Sequence, residues 1–346
     1  MSRRSDIDWV RMVSICGVVL IHSSSLFVSR QSRVSILGVT PALLCNQVTR
    51  FSVPVFFILS GLGLSLSEKP LKLPDFWLHR LRRVGIPYIL WTLFYYLFDK
   101  QFTLKGLLSI NGLAASGRLL LTGGAASHLW YIPVLLQLNL LYPALKWLMK
   151  RFPFLTLLSS FMISMFSTLM LYIPLPITGW WRPHLWRLFP TWVFYFVLGM
   201  ALTEKRIEQT KKLAKSHMPV FVIIMIIAAF MYTWDAQNSG NLDSIKPQLF
   251  LYSPLCFALM VSLLTQFERF PNMQSISAFI ARHSMTVYFS HIFFLRMLRQ
   301  ISFFNRNSLT MFLTFVVVMT LSTLTSIVPE LSKHLLNKIR NNRLLY

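Results

Sequence analysis

Asp8 to Phe27 reads DWVRMVSICGVVLIHSSSLF, and from Val10 onward almost every side chain is apolar or small. The stretch predicts a membrane-spanning helix, yet it carries Arg11 near one end and His22 deep inside. Ionisable residues at membrane depth are costly, and their default reading is functional. Eleven residues at ~100° each make about three turns plus ~20°, with a rise of roughly 16 Å. Arg11 and His22 therefore share one face, one above the other. A long anionic ligand held by its charge at Arg11 could reach His22 with its far end. Asp8, three residues before Arg11, is placed to hold that arginine.

The rest of the chain agrees with a membrane setting. Its 346 residues are 55% hydrophobic and 14% aromatic, with only 13% charged, where soluble domains average about 25%. The fold class is all-α, a polytopic membrane protein in a lipid bilayer. The net charge of +23 does not imply nucleic acid, because basic residues between apolar spans are what cytoplasmic loops and anionic headgroups require. Cys16, Cys45 and Cys256 have no CxxC spacing, so neither a disulfide framework nor a metal site is indicated. Arg3 and Arg4 lead into an apolar stretch longer than a signal-peptide core, with no small-residue cleavage site, so the first helix is expected to be retained.

With ~20 residues needed per crossing, ten spans are expected: 10–28, 47–67, 84–99, 128–148, 153–173, 188–203, 218–235, 249–266, 279–296 and 309–328. Placing both termini in the cytoplasm assigns 21 Lys and Arg to inner segments and 12 to outer ones, which the positive-inside rule favours. Arg296, Arg299 and Arg306 oppose the bias. Residues 100–127, rich in Gly, Ser and Ala, read as a flexible outer loop. The chain reads as one transmembrane domain over 1–346, with no appended soluble domain and no visible inverted repeat.

Further motifs follow in order. Thr49 to Ser67, TRFSVPVFFILSGLGLSLS, sets Pro54 in a span and gives Ser60, Gly61 and Gly63 as a small face for close helix approach. Arg50 shares a depth with His22 if the first two helices are antiparallel neighbours; the alternative is that it snorkels to the interface. Arg80 and Arg83, three apart, would be neighbours on a helix and suit phosphate through planar donors; they also suit a simple cytoplasmic anchor. Arg11 should reach the same boundary. His128-Leu129-Trp130 opens the fourth span, and Trp130, like Trp180, Trp181 and Trp186, fits an interfacial aromatic belt. Ser284, Tyr288 and His291 form one polar stripe at i, i+4 and i+7, with hydrogen-bonded packing as the plainer role for His291. With Asp8 and Asp99 at span ends, no carboxylate lies clearly inside a span. That leaves His22 as the well-placed group for proton transfer near neutrality.

Taken together, these pieces resemble the acyltransferase 3 family of bacterial inner-membrane proteins. The likeness rests on Arg11 and His22 spaced R-x10-H, on RFSVPVFFILSG from Arg50 to Gly61, on Arg80-Leu81-Arg82-Arg83, on His128-Leu129-Trp130-Tyr131-Ile132, and on Ser284, Tyr288 and His291. Leu62 departs from the aromatic that often follows Ser-Gly. The resemblance implies transfer of an acyl group, usually acetyl from acetyl-CoA, to a hydroxyl of a surface or lipid-linked glycan, without a metal. It makes His22 the catalytic histidine and Arg11, Arg80 and Arg83 the coenzyme-binding arginines. Arg50, Ser60, Trp130, Ser284, Tyr288, His291 and Asp8 would serve the acceptor or support the site. The competing reading is a polysaccharide exporter without acyl transfer, which has no need of the R-x10-H and RxxR pairing.

Overall fold

A computed structural model describes residues 4–28, 39–67, 72–98, 110–173, 182–263, 270–305 and 307–342. Its α-helices are α1 Ser5–Val28, α2 Pro41–Val48, α3 Ser52–Ser65, α4 Leu73–Arg80, α5 Ile86–Phe98, α6 Ile110–Thr122, α7 Tyr131–Arg151, α8 Pro153–Tyr172, α9 Val193–Ala201, α10 Glu204–Ser216, α11 Met218–Ser239, α12 Leu249–Leu263, α13 Pro271–Arg299 and α14 Ser308–Asn342. Asp99, Trp180 and Trp181 lie outside the described residues.

Among the described residues, six helical stretches are long and apolar enough to cross a membrane: Ser5–Val28, Pro41–Ser65, Tyr131–Arg151, Pro153–Tyr172, Met218–Ser239 and Ser308–Ile327. The protein is therefore a multi-pass membrane protein whose described residues hold helices and no strand. The other expected spans correspond to helices of 13, 9 and 15 residues (α5, α9 and α12) and to the 29-residue α13. α13 has the length but carries Arg282, His283, His291, Arg296 and Arg299 along it.

The chain divides into two compact units, residues 1–50 with 264–346 and residues 51–263. In the first, α1 packs along α13, α13 along α14, and α2 sits against α1. Two features start α2: the Thr40 hydroxyl accepts the Leu43 N–H at 3.2 Å, and Pro41 takes the first turn, where its missing N–H costs nothing. Phe27 and Ala42 close on Met311, with Leu26, Val28 and Cys45 around them. α14 starts where Asn307 Oδ1 accepts the Thr310 N–H at 3.0 Å.

In the second unit, α9 is buried almost throughout and packs on α3, α8 and α7. Its crossing with α3 is set by glycine on both sides. A Cβ on Gly61 would overlap the Phe196 carbonyl, and one on Gly199 would overlap the Ile58 carbonyl. Around it, the Ser164 hydroxyl donates to the Pro190 carbonyl (2.8 Å) and accepts the Phe194 N–H (3.0 Å), and Tyr142 Oη donates to the Leu64 carbonyl (2.8 Å).

Two expectations are corrected here. Residues 110–122 of the supposed outer loop form α6, whose Leu120 carbonyl accepts from Tyr88 Oη at 2.6 Å. Gly123 follows at φ 66°, the left-handed stop that glycine supplies after a helix. Secondly, a carboxylate does lie in a spanning helix. Asp235, near the end of α11, is 2.7 Å from the buried Lys246 ammonium and accepts from Tyr172 Oη at 2.6 Å. It was missed because the partner lysine stands beyond the helix, in the following turn.

Candidate active site

The first unit carries the histidines. α1 is unbroken from Ser5 to Val28, so Arg11 and His22 keep the helical register read from their spacing. Asp6 and Asp8 lie buried in its first turn, where negative charge complements the helix dipole, and Asp6 pairs with Arg4 at 2.7 Å. Arg11 is half-buried. Ser24 and Ser25 return their hydroxyls to the Leu20 and Ile21 carbonyls, each at 2.6 Å, which keeps the turn around His22 compact.

His22 and His291 face each other with ring centroids 5.2 Å apart at 47°. They differ in access: His22 is partly exposed, whereas His291 is fully buried. His291 Nδ1 lies 3.1 Å from the Val287 carbonyl, which can only accept. The proton of neutral His291 therefore sits on Nδ1, leaving Nε2 as its basic nitrogen. Tyr288 packs on the same ring at 6.1 Å, while Ser284, the third member of the stripe, donates back to the Ala281 carbonyl at 2.9 Å. The fields of His291, Arg50 and Arg299 reach His22. The structure thus brings His22, His291, Tyr288 and Arg50 into one neighbourhood and adds Arg299, which the sequence offered only as a charge opposing the topology bias.

Arg50 is held by Asn46, whose Oδ1 accepts from the guanidinium at 2.8 Å. Asn46 also donates to the Ile21 carbonyl at 2.8 Å. Nothing in the sequence marked this asparagine, because an uncharged residue in a short apolar helix gives no signal of cost.

The second unit carries the other expected residues. Arg80 ends α4, and Leu81–Gly85 continue as a π-helical turn, so the RxxR run is not on a regular α-helix. π-helical turns are rare and occur often at functional sites. Arg80 is half-buried, with its guanidinium 5.4 Å from the Phe76 ring centre, and Phe76 in turn packs on Tyr142. Burial, and then the Arg83 charge, hold the Arg80 guanidinium below its usual pKa. Its Nε is buried with no hydrogen-bond partner among the described residues, and a phosphate oxygen would supply one. Arg82 and Arg83 are exposed.

Ser60 donates to the Phe56 carbonyl at 2.7 Å and stands 3.4 Å from Tyr131 Oη. Trp130 joins an aromatic cluster with Trp186 (5.2 Å) and Trp192 (5.1 Å), and His128 sits edge-on to Tyr95. These contacts fix the positions of Ser60, Trp130 and Trp186 within the second unit.

Chemically, a partly exposed imidazole packed against a buried one fixed in tautomer can take up a proton and hand it on. Flanking guanidiniums are what a developing oxyanion or an anionic substrate requires. A family model described as an acyltransferase domain matches residues 4–330. No curated protein and no solved structure matches the chain.

Proposed function

Since this chain belongs to the acyltransferase 3 family, and so is a membrane acyltransferase, we propose that it moves an acetyl group from acetyl-CoA to a hydroxyl of a surface or lipid-linked polysaccharide at the bacterial inner membrane. The observation that carries this reading is the accessible His22 against buried His291, on a helix that bears Arg11 about three turns away.

Acetyl-CoA supplies an activated thioester and a phosphate-bearing nucleotide end. Arg80 fits the phosphate end, because its buried Nε wants an acceptor; Arg83 and Arg11 are assigned the same role. His22 takes the proton of the acceptor hydroxyl as the ester bond forms and the thioester C–S bond breaks, and gives it to the departing CoA thiolate. In the alternative, His22 itself displaces the CoA thiolate, carries the acyl group, and passes it to the acceptor hydroxyl, whose proton leaves. His291, locked by Val287, holds the His22 ring and offers a second basic nitrogen. Arg50 faces the developing oxyanion or the acceptor. Tyr288 and Ser284 line the same helix, and Asp8 steadies the start of α1. The topology that suits this chemistry has ten crossings and both termini cytoplasmic, so that donor and acceptor approach from opposite sides.

The test is glycan acetylation in cells lacking the native gene, with membrane protein level checked. His22→Ala and His22→Gln should each lose at least ~10²-fold, the low end for removing a general base, while acetyl-CoA still binds. Substantial acetylation by a well-expressed His22→Gln protein would remove this histidine from the chemistry.

A further inference from the structure

Asn46 is fully buried, and its carboxamide is saturated with contacts that run in two directions. Its Oδ1 accepts from Arg50 at 2.8 Å and from Gln47 Nε2 at 2.8 Å. Its Nδ2 donates into α1, to the Ile21 carbonyl at 2.8 Å, with the Ser25 and Ser24 hydroxyls at 3.0 and 3.2 Å. The orientation follows from the partners: a guanidinium only donates and a backbone carbonyl only accepts, so a flipped amide would meet repulsion on both sides. Ile21 immediately precedes His22. One side chain therefore links the Arg50 guanidinium to the turn of α1 that carries the histidine.

We propose that Asn46 is a positioning residue that fixes Arg50 relative to His22. An arginine has a long, many-rotamer side chain, and holding it in one pose at a reacting centre requires a rigid acceptor. Asn46 supplies it from a helix that is itself anchored to α1. A neutral acceptor is also the appropriate one, since a carboxylate at this position would spend the guanidinium's charge on an ion pair instead of leaving it for substrate. Gln47, also fully buried, holds the same oxygen from the other side. The inference rests on the proposed role of Arg50 at the His22 site.

A double-mutant cycle separates the two ideas. Acetyl transfer is measured for Asn46→Ala, Arg50→Ala and the double variant, each normalised to folded protein in the membrane, with Asn46→Ser as the substitute if the alanine variant does not accumulate. Asn46→Ala should lose roughly ten- to hundredfold, the range for removing a hydrogen bond to a charged group, and the double variant should be no slower than Arg50→Ala alone. Acetyl-CoA binding should be unchanged in all three. An Asn46→Ala rate within about twofold of the parent, or a double variant that loses the product of the single losses, overturns the positioning role while leaving Arg50 at the site. Full activity of Arg50→Ala instead overturns the role given to Arg50 itself, and the proposal for Asn46 falls with it.

Discussion

His291 is fully buried with one nitrogen committed to a backbone carbonyl, and His22 is the more exposed ring of the two. This asymmetry predicts different penalties. His291→Gln should slow transfer by about 10–10² and leave acetyl-CoA affinity intact, a smaller loss than for His22→Gln, because the first removes support and the second removes the reacting group. A His291→Gln protein with the full rate would reduce His291 to packing. The arginines separate in the same way. Arg80 is half-buried with a polar atom wanting an acceptor, so Arg80→Ala should cost on the order of 1.5–3 kcal/mol in acetyl-CoA binding, measured by calorimetry on purified protein. Arg83→Ala should cost less, because Arg83 is exposed. Unchanged affinity in both would make the pair topological anchors. At this scale the sequence was legible where a residue stood out by cost: Arg11, His22 and His291 are charges or titratable groups in apolar runs. Asn46 and Asp235 were not legible, since the meaning of each depends on a partner, Arg50 or Lys246, that sequence does not pair with it.

Among helices, the crossing of α3 and α9 sets the tightest requirement. The small residues Ser60, Gly61 and Gly63 were readable as a packing face, but which glycine carries the contact depends on Gly199, far along the chain. Gly61→Ala and Gly199→Ala each push a methyl into a backbone carbonyl that cannot move as a side chain can. Each should destabilise the protein by at least ~1–3 kcal/mol, the usual cost of overpacking. Gly63→Ala, with nothing within 4 Å of its added Cβ, should stay within about 0.5 kcal/mol, as surface substitutions do. Thermal unfolding in detergent compares the three, and equal melting points for Gly61→Ala and Gly63→Ala would show that the crossing relaxes. α6 teaches the opposite lesson about reading elements. Its glycines and serines suggested a loop, yet Ala114, Ala115 and Leu119 to Leu121 favour a helix, and Gly123 at φ 66° was a stop signal in plain view.

For the molecule as a whole, the open quantity is how many helices cross, and it turns on the short ones. Hydropathy suggests ten spans, but among the described residues length and composition together support six, because α5, α9 and α12 have 13, 9 and 15 residues against the ~20 a bilayer core requires and α13, though long enough, carries charges along its length. A short or broken helix can still lie at membrane depth when protein surrounds it, since its loose backbone groups then find partners. α9 meets that condition: it is buried almost end to end, and Ser164 satisfies its Phe194 N–H. Exposed residues on either side of the short helices make the count measurable. Three crossings precede Ala114 and six precede Ser216 if α5 and α9 both span, so with the amino terminus inside, Ala114→Cys should label from the periplasm and Ser216→Cys should not. Both positions are exposed, which lets an impermeant maleimide reach them in a cysteine-free background. If α5 fails to cross, both answers invert. If only α9 fails, both cysteines label from outside. A tag ahead of Met1 fixes the side of the amino terminus, so each outcome identifies one helix. The expected pattern also puts the basic face of α10, with Lys205, Arg206, Lys212 and Lys215, on the cytoplasmic side, where anionic headgroups favour it.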